Sequence, residues 1–424
     1  MLCGVVARCI TPDRPVRLAG YGSRDKLSEG VYQDLFVKAI GLDSGDGPAV
    51  IVTSDLLYFD EDVLGPVEES LARDPGIPAE RLFFTASHTH CGPALRKRDA
   101  RMYGGRDAAY MAELREALAA VVRQAVASRQ PAKLSYRRTT CEININRRLK
   151  TPTGVEMRPN PNGPVDREVD VLAAEGEDGR ARAVLFGYAC HPTTMGGYLC
   201  GGDYPGFAQR MIEAAYPGAT ALFVQGTSGD VRPNNVDERG YFKSGPREVV
   251  ERYGRRLADQ VLAAMKERGV PVEGDIRTAD RTVSLPLMPP PTRAELARAL
   301  EDKSPYRRRW AWEMLHAYDR NTPLPTSVPV HVQTLRIGAT FSLVAIAGEV
   351  CVEIGLRIKE LIGDGPRFVL GCTNRVIGYI PSKSIHPEGG YEVDGWYFYE
   401  GMPSHLAASA EDLLVGSARQ MLGK

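Results

Sequence analysis

Short runs of Val, Ile, Leu and Phe recur along the chain, separated by longer stretches in which apolar positions return every three or four residues. Continuous runs predict strands buried on both faces, and the 3.6-residue period predicts amphipathic helices. Strands are expected over Phe36–Leu42, Ala49–Ser54, Leu82–Ser87, Lys133–Arg137, Ala183–Ala189, Thr220–Val224, His331–Ile337, Phe341–Ala347 and Arg367–Gly371, with a further strand at the N-terminus. Helices are expected over Glu61–Arg73, Asp107–Ser128, Gly206–Ala215, Pro246–Arg268, Arg293–Tyr318, Val350–Leu361 and Glu411–Leu422. The two kinds intermix along the whole chain, which predicts an α/β protein with layered, mixed sheets. Pro286, Pro289, Pro290 and Pro291 make Leu285–Pro291 the most linker-like stretch, a possible lobe boundary. Candidate site residues fall on both sides of it, so residues 1–424 are read as one catalytic unit.

Composition narrows the partners. Lys plus Arg equals Asp plus Glu, 53 each, so no net field favours nucleic acid or an anionic membrane. No apolar run has the length of a membrane span, and no stable membrane association is expected. The first residues, Met1 to Ile10, lack the basic and apolar regions of a signal peptide. The 8 cysteines are scattered without a CxxC pair, which suggests reduced thiols and a cytoplasmic protein.

The chemistry lies where strands end. Leu82-Phe83-Phe84-Thr85-Ala86-Ser87 runs into His88-Thr89-His90 and a Cys91-Gly92-Pro93 turn. On an extended strand, residues two apart face one side, so His88 and His90 can converge as a metal or catalytic pair, or stand as satisfied polar residues. A second strand ends at His191-Pro192-Thr193-Thr194, and Asp203 follows near the entry of a helix, as a cap or a substrate-facing carboxylate. A third runs into Gly226-Thr227-Ser228-Gly229-Asp230-Val231-Arg232, a turn whose backbone N–H groups can cradle an oxyanion. A fourth delivers Glu349 to the mouth of a helix, and a fifth leads through Gly378-Tyr379 into an aromatic, acidic stretch from Tyr391 to Glu400. Two His and one Glu form a familiar catalytic zinc set. No P-loop and no GxGxxG pattern is present.

In this order the motifs resemble those of the neutral (non-lysosomal) ceramidase family. Ser87–Pro93 resembles its THTHSGP signature, with Cys91 where Ser is usual. The region from Gly22 to Asp34, Val52-Thr53-Ser54-Asp55, the strand ending at His191, Gly348-Glu349 and Gly378-Tyr379-Ile380 resemble successive family blocks. The resemblance implies zinc held by His88, His191, Glu349 and Tyr379, with His90 beside the metal as acid–base. It also implies catalytic roles for Tyr379 and for Arg147 facing the substrate, and substrate contacts from Gly229, Asp230, Asp203 and Arg232. Two departures accompany it. Arg232 stands where the family's G-[DN]-x-S-P-N turn has serine, and the chain ends too soon for the family's C-terminal immunoglobulin-like domain.

The expectation is therefore a zinc-dependent hydrolase cleaving an amide of a small polar substrate by a metal-activated water. An ester or lactone hydrolase on the same site, and a non-catalytic metal- or ligand-binding relative, are the alternatives. Ceramide itself is not the expected substrate, because a guanidinium replaces a small hydroxyl at residue 232.

Overall fold

The computed structural model describes residues 1–97 and 105–424. Its large sheet has nine strands. Eight follow one another in the order Thr220–Gln225, Ala181–Tyr188, Glu168–Gly176, Gln130–Thr140, Leu2–Cys9, Phe36–Asp43, Pro48–Ser54 and Leu82–Ala86, and Val270–Val272 pairs with Gln130–Thr140. A second sheet holds Ile276–Pro286, Ser327–Ile337, Phe341–Ile346 and Arg367–Leu370 in that order. Both sheets are mixed, as the interleaved pattern predicts.

Three parallel pairs matter for the site: Pro48–Ser54 with Leu82–Ala86, Ala181–Tyr188 with Thr220–Gln225, and Phe341–Ile346 with Arg367–Leu370. Parallel neighbours need a crossover, here supplied by the helices Glu61–Arg73, Asp203–Ala215 and Val352–Ile362. In open α/β sheets, ligands sit outside the carboxyl ends of such strands. His88, His191 and Glu349 each lie two or three residues beyond a strand of these pairs.

Alternation along each strand divides its side chains between two cores. Val37, Ala39, Val50, Val52 and Phe84 face the helices Glu61–Arg73 and Ala108–Ala127. Their neighbours Ile40, Ala49, Ile51 and Phe83 face Leu335, Leu343, Phe368 and Leu370 of the second sheet. Val184, Phe186 and Phe223 meet the helices Asp203–Ala215 and Arg247–Lys266. Val332, Val344 and Ile346 meet Val352–Ile362 and Ser409–Leu422. The result is helix, sheet, sheet, helix. Side chains such as Phe83 and Phe84, with 0% exposure, each contribute about 1.5–3 kcal/mol by burial.

Some boundaries differ from the sequence reading. The long helix expected over Arg293–Tyr318 is two helices, Arg293–Ala299 and Pro305–Asp319. Ser304 caps the second by accepting from Arg307 N, and Pro305 starts it, where a missing N–H costs nothing. Of the linker-like stretch, Leu285 and Pro286 end the strand Ile276–Pro286: Pro286 pairs with Ser327, and Leu287 N donates to Thr326 O at 2.8 Å. Among the described residues, no helix is long and apolar enough to cross a membrane.

Candidate metal and catalytic site

The strand Leu82–Ala86 stops before His88, which takes a left-handed backbone (φ 67°). Strand alternation therefore does not explain how His88 and His90 meet. A turn brings their rings to 5.1 Å, edge to face. His88 Nδ1 lies 3.1 Å from Leu57 O, and His191 Nδ1 lies 2.7 Å from Ser228 O. Donation from each Nδ1–H leaves both Nε2 lone pairs directed inward, a common way to fix the tautomer of a metal-binding histidine.

The two Nε2 atoms are 3.1 Å apart. Glu349 Oε2 lies 3.2 Å from His191 Nε2 and 3.3 Å from His88 Nε2, and Tyr379 Oη lies 3.4 Å from His191 Nε2. The edge of a tetrahedron with bonds of about 2.0 Å is about 3.3 Å, so these donors have the spacing of a zinc coordination shell. Inward lone pairs beside a carboxylate repel unless a cation lies among them. A proton can serve: Cys372 and Glu349 outweigh burial and hold His88 up at about 10, while burial and the Arg147 charge push His191 down to about 4. A metal ion meets the same requirement. His88, His90 and His191 form a wider set, with ligating atoms within 4.8 Å of one another, that can hold a metal ion.

Tyr58 is a residue the sequence reading missed. Its hydroxyl donates to Glu349 Oε1 and leaves Oε2 facing the histidines. A tyrosine after a buried strand carries no signal of this role. Groups that orient ligands in this way typically contribute 10- to 100-fold to metal affinity. Tyr58→Phe is accordingly expected to weaken metal binding by about that factor while leaving the fold intact. Competition with a chelator measures it, and unchanged affinity would remove Tyr58 from the site.

His90 stands on the pocket side. Both its ring nitrogens are buried without a hydrogen-bond partner among the described residues. Burial and the adjacent His88 and His191 keep it well below the usual histidine range, so the ring is neutral. Tyr21 packs on it with centroids 4.9 Å apart, and Arg24 donates to its carbonyl at 2.6 Å. Gly20, at φ 97°, permits this packing: a Cβ there would stand 2.5 Å from His90 Cγ. The pocket is about 130 Å³ and is lined by His90, Tyr58, Glu349, Tyr379, Tyr391 and Trp396, among others.

Arg147 lies behind Tyr379, its guanidinium 5.4 Å from the ring centroid. Arg147 Nε donates to Glu392 Oε1 at 2.7 Å, and Arg148 Nη1 donates to Oε2 at 2.6 Å. Burial would raise the Glu392 carboxyl, but the two arginines hold it below the usual range. Arg147 Nη2 has no partner among the described residues. Glu392 is another residue missed in sequence, a single carboxylate within the aromatic stretch.

Four expected substrate contacts are placed differently. Asp203 is 0% exposed and accepts from Thr194 N, Met195 N and Tyr204 N at 3.0, 3.0 and 2.6 Å. It anchors the loop after His191, and the helix N-cap is Gly202. Asp230 accepts from Val352 N at 2.8 Å and Asn146 Nδ2 at 3.1 Å, and burial pushes its carboxyl up to about 6. Gly229 lies against the strand Glu349–Val350, where a Cβ would stand 2.6 Å from Glu349 O. The glycine turn offers no oxyanion cradle through these two groups, because Gly226 N donates to Tyr188 O and Gly229 N to Val350 O. All three residues scaffold the centre. Arg232 donates to Thr193 O at 3.1 Å and does not border the pocket next to His90.

Fold and donor set together define a layered α/β protein with a buried centre able to hold a metal ion. The family model for neutral/alkaline non-lysosomal ceramidase, N-terminal, matches residues 2–271, and the chain belongs to this hydrolase family. Among solved structures, the neutral ceramidase from Pseudomonas aeruginosa is similar at 20% identity and a TM-score of 0.77, over 99% of this chain and 74% of that one. A ceramidase complexed with C2 is similar at 18% identity and a TM-score of 0.77, with the same coverage. No curated protein matches the chain.

Proposed function

We propose that the protein is a zinc-dependent amidohydrolase acting on small polar amides. The observation that carries this reading is the set of inward donors from His88, His191 and Glu349, 3.1–3.3 Å apart, with the Tyr379 hydroxyl 3.4 Å from His191, beside a neutral His90 on a pocket. These distances favour that set over the wider three-histidine group. Zinc, when bound, supplies a Lewis acid that polarises the scissile carbonyl and acidifies water.

The chain's own groups account for the proton transfers. A free His90 ring nitrogen accepts the proton of the attacking water as the C–O bond forms. The same nitrogen returns that proton to the departing amine nitrogen as the C–N bond breaks. The Tyr379 hydroxyl, on a residue that lines the pocket, is a donor suited to the carbonyl oxygen as negative charge develops there, with Arg147 behind its ring. The pocket is about 130 Å³, near the roughly 150 Å³ of an engineered cavity that takes one benzene ring. The part of a substrate that the pocket itself takes in is therefore small. A cytoplasmic location belongs to the same proposal, on cysteines that all stand as free thiols.

Metal removal tests the reading. Dialysis against a chelator is expected to abolish cleavage of short N-acyl amides, and one equivalent of zinc should restore it. Activity that survives in metal-free protein would exclude the mechanism.

A further inference from the structure

The pocket beside His90 takes much of its side-chain wall from rings: Tyr58, Tyr379, Tyr391, Trp396 and Tyr399 all border it. Each ring is held by contacts of its own. The Tyr58 hydroxyl donates to Glu349, and the Arg96 guanidinium lies over the ring at 4.8 Å. Tyr379 lies parallel to the His191 ring, with centroids 6.3 Å apart. Tyr391 and Trp396 pack edge to face with Tyr379, at 5.4 and 5.8 Å. Trp396 Nε1 also donates to Glu392 O at 3.0 Å. Tyr399 packs on Tyr306 at 5.2 Å, and the Tyr306 hydroxyl donates to Gly22 O at 2.6 Å. Rings fixed in this way lose little freedom when a ligand arrives, so the wall is organised in advance.

The charges that border the pocket are already matched. Arg96 donates through Nη1 and Nη2 to the two oxygens of Glu400. Glu349 accepts from Tyr58 at one oxygen and turns the other to the histidines. A carboxylate on the substrate would therefore compete with Glu400 for Arg96. A cation would meet rings that already carry one. Arg96 lies over Tyr58, and Arg147 lies 5.4 and 5.8 Å from the centroids of Tyr379 and Tyr391. The attraction of these ring faces for positive charge is thus already used. What the wall offers is ring faces and edges, suited to a flat neutral group.

Size and place agree with this. The volume of about 130 Å³ is close to that of one six-membered aromatic ring with its clearance. His90, Glu349 and Tyr379 border the same pocket, so its occupant lies next to the reacting groups.

We infer that the pocket is an aryl subsite: preferred substrates place one neutral aromatic ring in it, close to the scissile amide, and Tyr391 and Tyr399 are specificity-determining residues. The inference rests on the amide-hydrolase reading and specifies the end of the substrate that enters. The polarity of the substrate lies in the amide and in the part left outside. Edge-to-face and offset contacts between aromatic rings stabilise beyond the area they bury. A saturated ring of equal carbon count is thicker and has no matching quadrupole.

The test uses two pairs of amides. One pair is N-phenylacetyl and N-cyclohexylacetyl ethanolamine. The other carries the ring on nitrogen, as N-benzyl and N-cyclohexylmethyl glycolamide. Each kcat/KM is divided by the rate of alkaline hydrolysis of the same amide, which removes differences in intrinsic reactivity. The holoprotein should favour the aromatic member by about 10-fold in at least one pair. In Tyr391→Leu and Tyr399→Leu, which keep apolar bulk and lose the ring, that ratio should fall toward one. A tyrosine with only a structural role would lower both members alike and leave the ratio unchanged. Circular dichroism and metal content verify that the variants are folded and loaded. A wild-type ratio near one in both pairs, or an unchanged ratio in both variants, overturns the inference. If none of the four amides is cleaved, the hydrolase reading fails for them, and binding decides on the subsite separately. By ligand-observed NMR titration, wild type should bind benzyl alcohol more tightly than cyclohexylmethanol and lose that preference in the two variants. Equal binding of the two alcohols by wild type overturns the inference equally.

Discussion

Replacing His88 or His191 with alanine is expected to abolish metal binding and to lower amide hydrolysis on the order of 10⁴-fold or more, because Lewis-acid activation and the acidified water are lost together. The expectation follows from geometry. Each imidazole has its Nδ1 fixed by a carbonyl, of Leu57 or Ser228, and presents Nε2 to the same point as Glu349 Oε2. Removing either ring takes away a donor that no neighbour is placed to replace without rearrangement. The surrounding cores do not depend on these rings, so the variants should remain folded. Elemental analysis of the purified variants measures the metal directly. A full equivalent of zinc in His191→Ala would show that the centre is built from a different set.

The second large effect concerns His90. His90→Ala should retain zinc and lose about 10²–10⁴-fold in turnover, the range for a general acid–base group. His90 differs from the other two histidines in its bonding. Neither of its nitrogens is held by a carbonyl, and it lines the pocket. A ring kept neutral by burial and by its histidine neighbours has a free lone pair at neutral pH, which can accept a proton from an acidified water. Metal content and kcat measured on one preparation separate the two roles. Loss of zinc together with activity would assign His90 to the metal and support the three-histidine set.

Much of this arrangement could be read from the linear pattern, for a physical reason. Strands such as Leu82–Ala86, Ala181–Tyr188 and Phe341–Ile346 are covered on both faces, so they appear as unbroken apolar runs. A polar residue directly after such a run stands out, and His88, His191 and Glu349 are of that kind. The strand Ile276–Pro286 was not legible because it lies at a sheet edge with polar, exposed positions along much of its length. Tyr58 and Glu392 were not legible because their meaning arises from partners 291 and 245 residues away. Asp203 and Asp230 were misread for a different reason. A carboxylate beside a glycine turn looks the same whether it receives backbone N–H groups or a substrate. Only the count of donors already pointing at it distinguishes the two.

The centre also lies on the seam between the two sheets. His88 and His191 follow strands of the nine-stranded sheet, whereas Glu349 follows a strand of the four-stranded one. Occupancy by a divalent ion would join segments 103 and 158 residues apart in sequence, as a covalent cross-link does. The loops closed in this way are long, and long closures remove the most freedom from an unfolded chain. Ion binding to the native state alone adds about 2.7 kcal/mol to stability when the free ion is at 100 times its Kd. Metal supply would then govern how long each molecule resists unfolding and proteolysis as well as how fast it turns over.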